Sequence, residues 1–219
     1  MSHDDRPLLL VAAGGLARET AAAARAAGRR VLGCLDDDAT RWGTDAAPGL
    51  PVLGALEEAT RHPDAALVVC AGKGAVRARL VDRLAGFGLG ADRYAAVVHP
   101  AAALAPDTVL GEGSVLLAGV VATAQVAVGA HVVCMPRVVL THDDRLGDHA
   151  TLCAGVVLGG EVVVGRGAYL GMAASVRERT VVGEWAVVGM GAVVLADVPP
   201  GETWVGVPAR ALRGATGHP

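Results

Sequence analysis

Every sixth residue from Val98 to Val194 is apolar. The series runs Val98, Leu104, Leu110, Leu116, Ala122, Val128, Cys134, Leu140, Leu146, Leu152, Leu158, Val164, Leu170, Val176, Val182, Val188 and Val194, seventeen positions without an exception. In a chain that is 53% hydrophobic, such a run has a chance probability of ~2 × 10⁻⁵, or roughly 10⁻⁴ once the best of six phases is chosen. A second period lies over the first: Gly111, Gly129, Gly147, Gly165 and Gly183 each follow a step residue and stand 18 apart. A period of six inside a period of eighteen describes a triangular coil. Each hexad gives one short parallel strand and one corner, and three hexads complete one turn of a parallel β-helix. The step residue points into the prism, and successive coils stack about 4.8 Å apart. Residues 98–199 hold 17 hexads, between five and six coils. Glycine at the same corner of each coil is expected to supply a backbone conformation that a side chain opposes.

The residues before this repeat read differently. "PLLLVAAGG" is a short apolar strand running into glycines, "LARETAAAARAAGRR" is a helix-forming stretch, and "VLGCLDDD" is a second strand ending in acids. "ALVVCAGKG" and "AVRARLVDRLAGFG" repeat the strand-then-helix order. This alternation predicts parallel βαβ units, an α/β, Rossmann-like domain over residues 6–95. The all-β prism follows over 98–199, and residues 200–219 are expected to form a C-terminal tail.

The wider composition excludes several function classes. Net charge is −3 and pI about 6.1, which points to neither nucleic acid nor an anionic membrane surface as a partner. Mean hydropathy is +0.45, yet no apolar run reaches the ~18 residues of a spanning helix without glycine or charge. The N-terminal "MSHDDRP" does not read as a signal peptide. Cys34, Cys70, Cys134 and Cys153 are scattered without a C-x-x-C pair, the pattern of reduced, buried thiols in a cytoplasmic protein.

One polar cluster interrupts the repeat, in "VVLTHDDRLGDH". The hexad frame sends Leu140 and Leu146 inward, so His142, two places beyond Leu140, faces outward with Asp143 at the turn. Gly160 lies 18 residues on, one coil further and about 4.8 Å away in backbone position. A general base beside bare backbone suits acyl transfer: the base takes a proton from an amine or hydroxyl, and an N–H receives the charge developing on the carbonyl oxygen. Asp143 is placed to hold the imidazole. On the α/β side, Gly14 and Gly15 sit at a strand-to-helix turn whose amides suit a diphosphate, although "AAGGLAR" lacks a full G-x-G-x-x-G. Asp36 stands 21 residues after Gly15, where it and Asp37 can accept ribose or base hydrogen bonds. Gly72 ends a later strand and closes the same crevice. Met172 and Met190, again 18 apart, stack in one outward column suited to a pantetheine arm or to a subunit contact.

In these motifs the chain resembles the left-handed β-helix acyltransferases of the hexapeptide class, and among them the NeuD/PglD-like sugar acyltransferases. The resemblance rests on "AAGGLAR", "GCLDDD" with "RWG", "GLPVLG", "VVHPAA", "THDD" and the terminal "VGMGAVVLADVPPGETWVGVPARALR". It implies a left-handed prism, acetyl-CoA as co-substrate, a nucleotide-linked sugar held by the first domain, and a homotrimer with sites between prisms. It also implies His142 as general base, Asp143 as its acidic partner, and Thr151, Gly160, Met172 and Met190 as positions that meet the acyl-CoA. Three positions depart from the family pattern. Thr151 stands where a second histidine is usual, Ala12 replaces the first glycine of the nucleotide turn, and Leu16 occupies a ligand-facing position usually held by histidine.

The remaining polar residues are expected to be bland. His149 reads as a surface side chain, and Asp144 and Asp148 as a solvated face. His131, His142 and His149 are spaced by 11 and 7, not by multiples of a coil, which argues against a metal site. Cys134 and Cys153 fall in or next to the core, so no cysteine nucleophile is expected. The resulting expectation is N-acetylation of a nucleotide-linked amino sugar by direct attack. Transfer to a sugar hydroxyl, transfer of another acyl group, and a non-catalytic trimeric scaffold that binds nucleotide sugars are the alternatives.

Overall fold

The computed structural model describes residues 5–212, so most of "MSHDDRP" and the last seven residues of the expected tail lie outside the described residues. The first domain is a five-stranded sheet flanked by helices. Its elements are β1 (Leu8–Val11), α1 (Gly15–Ala26), β2 (Val31–Leu35), β3 (Asp45–Ala47), β4 (Leu50–Gly54), β5 (Ala66–Val69) and α2 (Gly74–Gly86). The strand order is β3-β4-β2-β1-β5, parallel except for the β3–β4 pair. β1 is buried on both faces: Leu8 and Leu10 pack with α1, and Leu9 and Val11 pack with Leu84 of α2 and Tyr94. This is why its sequence is uniformly apolar rather than alternating.

From Val97 onward two-residue strands recur every six residues up to Val194 and build three parallel faces of six, five and six strands, the last enlarged to eight by two strands near the C-terminal end. Each strand pairs with the one a full coil later, as Val121↔Val139 and Val133↔Thr151 show. The step residues from Leu116 to Val194 are all buried in one continuous core. Val98, Leu104 and Leu110 are only partly buried, because their coils form the open end of the prism. The position four beyond each step also turns inward, contributing Val120, Val126, Val138 and Val156 to the same core.

The corners correct the expectation about glycine. Every sixth residue from Gly113 to Gly191 has a positive φ, between 51° and 73°, and nine of these fourteen are not glycine. The repeated Gly111, Gly129, Gly147, Gly165 and Gly183 lie two positions earlier and are not in that region. They are needed for space: a Cβ on Gly147 would come within 2.6 Å of the Arg166 amide, and one on Gly165 within 2.5 Å of the Glu184 amide. The coils stack too closely for a side chain at that point.

Residues 200–212 do not form a detached tail. Thr203–Val205 adds a strand parallel to Val187–Val188, and Arg210–Ala211 pairs antiparallel to it. Both extend the eight-stranded face and cap the prism. The first coils of that face carry Val97, Val115, Leu117 and Val133 outward into the α1 side of the α/β core, which joins the two domains through apolar contact.

Candidate active site

The His142 corner projects into solvent. The imidazole is 59% exposed, and its Nδ1 lies 2.9 Å from the Asp143 carboxylate. A carboxylate can only accept, so Nδ1 carries the proton and Nε2 presents its lone pair outward. Asp143 occupies the left-handed corner at φ 62°, a conformation that Asp tolerates better than most residues. One coil on, Gly160 lies directly beneath the ring: a Cβ there would collide with His142 Nε2 and Cε1. Gly160 is buried under the imidazole, and its carbonyl accepts the Arg179 N–H at 2.9 Å. Among the described residues its own N–H donates to no protein acceptor. A proton acceptor and an unused backbone donor therefore share one spot on one edge of the prism.

Asp144 is not part of a solvated face. It occupies the inward column four beyond Leu140 and is fully buried. Its Oδ2 accepts the Thr141 N–H at 2.7 Å and its Oδ1 the Val162 N–H at 2.9 Å. Burial pushes its carboxyl up to about 6, against the pull of those two donors. Asp148, by contrast, is exposed and accepts the Ala130 N–H at 2.8 Å.

Met172 and Met190 stack one coil apart and are 51% and 71% exposed. Residue 172 is 30 beyond 142, not a multiple of 18, so the methionines run along a different edge of the prism from His142. Thr151 is not available to an acyl-CoA. It is fully buried on the face that the α/β domain covers, where its hydroxyl accepts from Arg77 Nη2 at 2.9 Å and donates to the Gly72 carbonyl at 3.1 Å.

The residues expected at the nucleotide end meet at the carboxyl edge of the parallel sheet. Val11 aligns with both Leu35 and Val69, so Gly14, Gly15, Asp36 and Gly72 follow neighbouring strands. The chain's order reverses between β1 and β5, the place where open α/β sheets bind ligands. Ala12 has φ 72°, which explains physically why glycine suits that position. Asp36 fastens this turn: its carboxylate accepts the Ala13 N–H at 2.9 Å, the Asp38 N–H at 3.0 Å and Arg41 Nη1 at 3.2 Å. Asp37 is 44% exposed and paired with Arg83 of α2. Gly72 lines a cavity of about 520 Å³ together with Lys73, Val76, Met135, Tyr169 and Val187. Leu16 faces the other way, into the core beneath α1 with 6% exposure. An apolar side chain at that helical position is drawn inward, so Leu16 contributes packing rather than a ligand contact.

A buried seam joins the domains beside this cavity, and sequence reasoning missed it. Arg77 of α2 is completely buried. Its Nε donates to the His131 carbonyl at 2.9 Å, Nη1 to the carbonyls of Ala71 and Gly72 at 2.8 and 3.0 Å, and Nη2 to those of His149 and Ala150 at 2.6 and 2.9 Å. The signal was an arginine inside the inward stripe of α2, alongside Gly74, Ala78 and Leu84. His149 is likewise buried rather than superficial, and its ring stacks on His131 at 5.2 Å between centroids. The two residues are 18 apart and do share a column; taking the histidines by consecutive spacing concealed it. Tyr94 meets His131 edge-on at 4.6 Å. Burial lowers both imidazoles, with Arg77 adding to the effect, and His149, which also feels the His131 ring, falls to about 4.

All four cysteines are unpaired and buried. Burial raises the thiols of Cys70 and Cys134 to about 12 and that of Cys34 to about 11. None of these three is a thiolate at neutral pH. Among the described residues no group of three or more His, Cys, Asp or Glu side chains is placed to hold a metal, and no helix is long and apolar enough to cross a membrane.

Comparison with known proteins follows the same division into two domains. Residues 7–84 match the family described as the PglD N-terminal domain. The structure of PerB from Caulobacter crescentus, in complex with CoA and GDP-perosamine, is similar over 94% of this chain and 97% of its own, with 30% identity and a TM-score of 0.86. The acetyltransferase domain of PglB from Neisseria gonorrhoeae, in complex with acetyl coenzyme A, is similar over 95% of this chain and 100% of its own, with 27% identity and a TM-score of 0.85. A UDP-N-acetylbacillosamine N-acetyltransferase of Bacillus subtilis is 38% identical over 56 residues, a stretch that spans 26% of this chain and 24% of that protein.

Proposed function

This chain belongs to the NeuD/PglD-like family of sugar acyltransferases, α/β domain followed by left-handed β-helix, and from that premise we propose that it transfers an acetyl group from acetyl-CoA to the amino group of a nucleotide-linked sugar. The observation that carries this reading is the Asp143-paired His142 ring lying over Gly160, whose N–H donates to no protein acceptor among the described residues. The amine attacks the thioester carbonyl carbon, and His142 Nε2 takes the proton that the nitrogen sheds. Asp143 stabilises the imidazolium so formed. The Gly160 N–H receives the negative charge on the carbonyl oxygen until the C–S bond breaks, and the imidazolium returns its proton to the departing sulfur so that CoA leaves as its thiol. The three cysteines held as thiols support direct attack over a covalent acyl-enzyme.

The sugar nucleotide is assigned to the carboxyl edge of the α/β sheet. Gly14 and Gly15 offer the orphan amides at the start of α1 to the diphosphate. Asp36 keeps that turn in shape, Asp37 reads the nucleoside end, and Gly72 bounds the crevice. Met172 and Met190 line the path of the pantetheine arm. They stand on a different edge from His142, so one acyl-CoA can touch both only if two copies of the chain face each other. A homotrimer meets that requirement and also covers the exposed Val109, Val157, Val163 and Val181. The unpaired thiols favour a cytoplasmic location.

The test is an assay of CoA thiol release with acetyl-CoA and a panel of nucleotide-linked sugars, alongside light scattering. Turnover with amino sugars but not with their hydroxyl counterparts, by a trimer, supports the reading. Turnover with the hydroxyl sugars alone would move the reaction to O-acetylation, and a monomer at micromolar concentration would rule out the intersubunit site.

A further inference from the structure

The inward column that holds Asp144 contains Val126 before it and Val162 after it, with Thr108, Thr180 and Val198 completing the same edge. A carboxylate among these residues is costly, since burial disfavours its charged form. It sits on the coil that carries His142, and it changes the hydrogen bonding of that coil and the next. Elsewhere on this edge the residue after each step donates to the step carbonyl one coil on: Ala105 to Ala122 at 2.9 Å, Thr123 to Leu140 at 3.2 Å, Gly159 to Val176 at 2.9 Å and Arg177 to Val194 at 3.0 Å. Thr141 does not. Its N–H turns to Asp144 Oδ2, and the Leu158 carbonyl is met instead by the Thr141 hydroxyl at 3.2 Å. The paired register of these two strands is correspondingly reduced to Val139↔Val157, whereas the flanking pairs on this face, such as Val121↔Val139 with Ala122↔Leu140, keep two rungs.

The second oxygen acts on the Gly160 coil. On the other two edges the residue four beyond a step closes the turn onto the residue one beyond it, as in Ala150 to Gly147 and Ala174 to Gly171 at 3.2 and 3.1 Å, whereas on this edge Val126 and Thr180 make no such bond. Val162 instead donates to Asp144 Oδ1. One side chain thus grips the backbone just before His142 and just after Gly160.

We propose that Asp144 is a positioning residue for acyl transfer: by replacing a ladder bond at Thr141 and holding the Val162 N–H, whose counterparts at Val126 and Thr180 on this edge make no turn bond, it sets the spacing between the His142 base and the Gly160 N–H. This rests on the reading of His142 and Gly160 given above. Thr141 and Val162 N–H, His142 and Asp143 are the polar groups around the carboxylate.

The test uses Asp144→Val, the residue found on either side in the column, with Asp144→Asn as the conservative variant and His142→Ala as the reference. We expect Asp144→Val to lower kcat at least tenfold while both KM values stay within about twofold, and Asp144→Asn to fall between it and the unsubstituted chain. Folding should not suffer. A carboxyl raised from 3.8 to about 6 favours the fold at low pH and loses that contribution as pH rises through 6, so the melting temperature of Asp144→Val relative to the unsubstituted chain should climb between pH 4 and 7. Unchanged kcat in Asp144→Val, with His142→Ala inactive, would overturn the positioning role and leave the base intact. A kcat loss accompanied by a lower melting temperature at pH 7 would also overturn it, since the role would then be structural. Normal turnover in His142→Ala would remove the base and this proposal together.

Discussion

Two corners of the same prism carry histidines, and they have opposite fates. At one, His142 stands two places beyond an inward leucine, 59% exposed, with Asp143 on Nδ1 and Gly160 beneath the ring. At the other, His131 and His149 stand three places beyond their inward residues, stack under Tyr94, and leave both Nδ1 atoms buried without a partner. The coil geometry is common to both. What differs is the covering: the α/β domain closes over the second corner and lays the Arg77 guanidinium against its carbonyls, and among the described residues nothing closes over the first. A histidine's place in the hexad fixes the direction of its side chain, but the neighbouring domain decides whether its ring is buried or open to solvent.

The comparison can be broken first at the clamp. Arg77→Met would leave the carbonyls of Ala71, His131 and His149 without their donor, whereas Ala150 keeps the Val133 N–H and Gly72 keeps the Thr151 hydroxyl, at about 1–3 kcal/mol for each group that water cannot reach. We expect a total loss of about 3–5 kcal/mol and a melting temperature lower by roughly 10 °C. A change under about 2 °C by calorimetry would show that the seam does not depend on this side chain. At the exposed corner, Gly160→Ala should spare stability and damage chemistry. The atoms nearest the new Cβ belong to the His142 ring, which can swing into solvent, so kcat should fall by roughly 10² with little change in melting temperature. Equal loss of both would mean that Gly160 serves coil stacking alone. The smallest effect is expected at the buried pair. His149 is held neutral, its ionisation lowered from 6.5 to about 4, so its contribution to stability is present above pH 6.5 and lost as pH falls towards 4. His149→Phe keeps the stacked ring and removes the titration, so its melting temperature should decline less between pH 7 and 4.5. Parallel declines in both proteins would place the acid sensitivity elsewhere.

Much of this was legible in the residues alone. The six-residue period gave the prism, its inward face and the outward aim of His142, because a strict period converts residue number into direction. The eighteen-residue period placed Gly160 under the imidazole. The same arithmetic contained the His131–His149 stack, hidden when three histidines were compared in order rather than by coil. Asp144 was misread because only one inward position per hexad was recognised; the second, four beyond the step, holds valine or alanine so often that a carboxylate there should have stood out. Thr151, Leu16 and Arg77 belong to a different class. Their burial depends on which prism face the α/β domain covers, and no local period records that docking. The repeated glycines were found for the wrong reason, since sequence marks a need for glycine without distinguishing a left-handed φ from a close backbone approach.

The central claim is that an exposed His142, held by Asp143 over the Gly160 amide, is the general base. It is tested most directly by kcat of His142→Ala at saturating acetyl-CoA and amino-sugar nucleotide, with CoA affinity measured on the same preparation. The account predicts a fall of roughly 10²–10⁴ with CoA affinity and melting temperature unchanged, because the side chain packs against nothing in the core. A kcat within threefold of the unsubstituted enzyme would contradict it and reduce the corner to solvated surface.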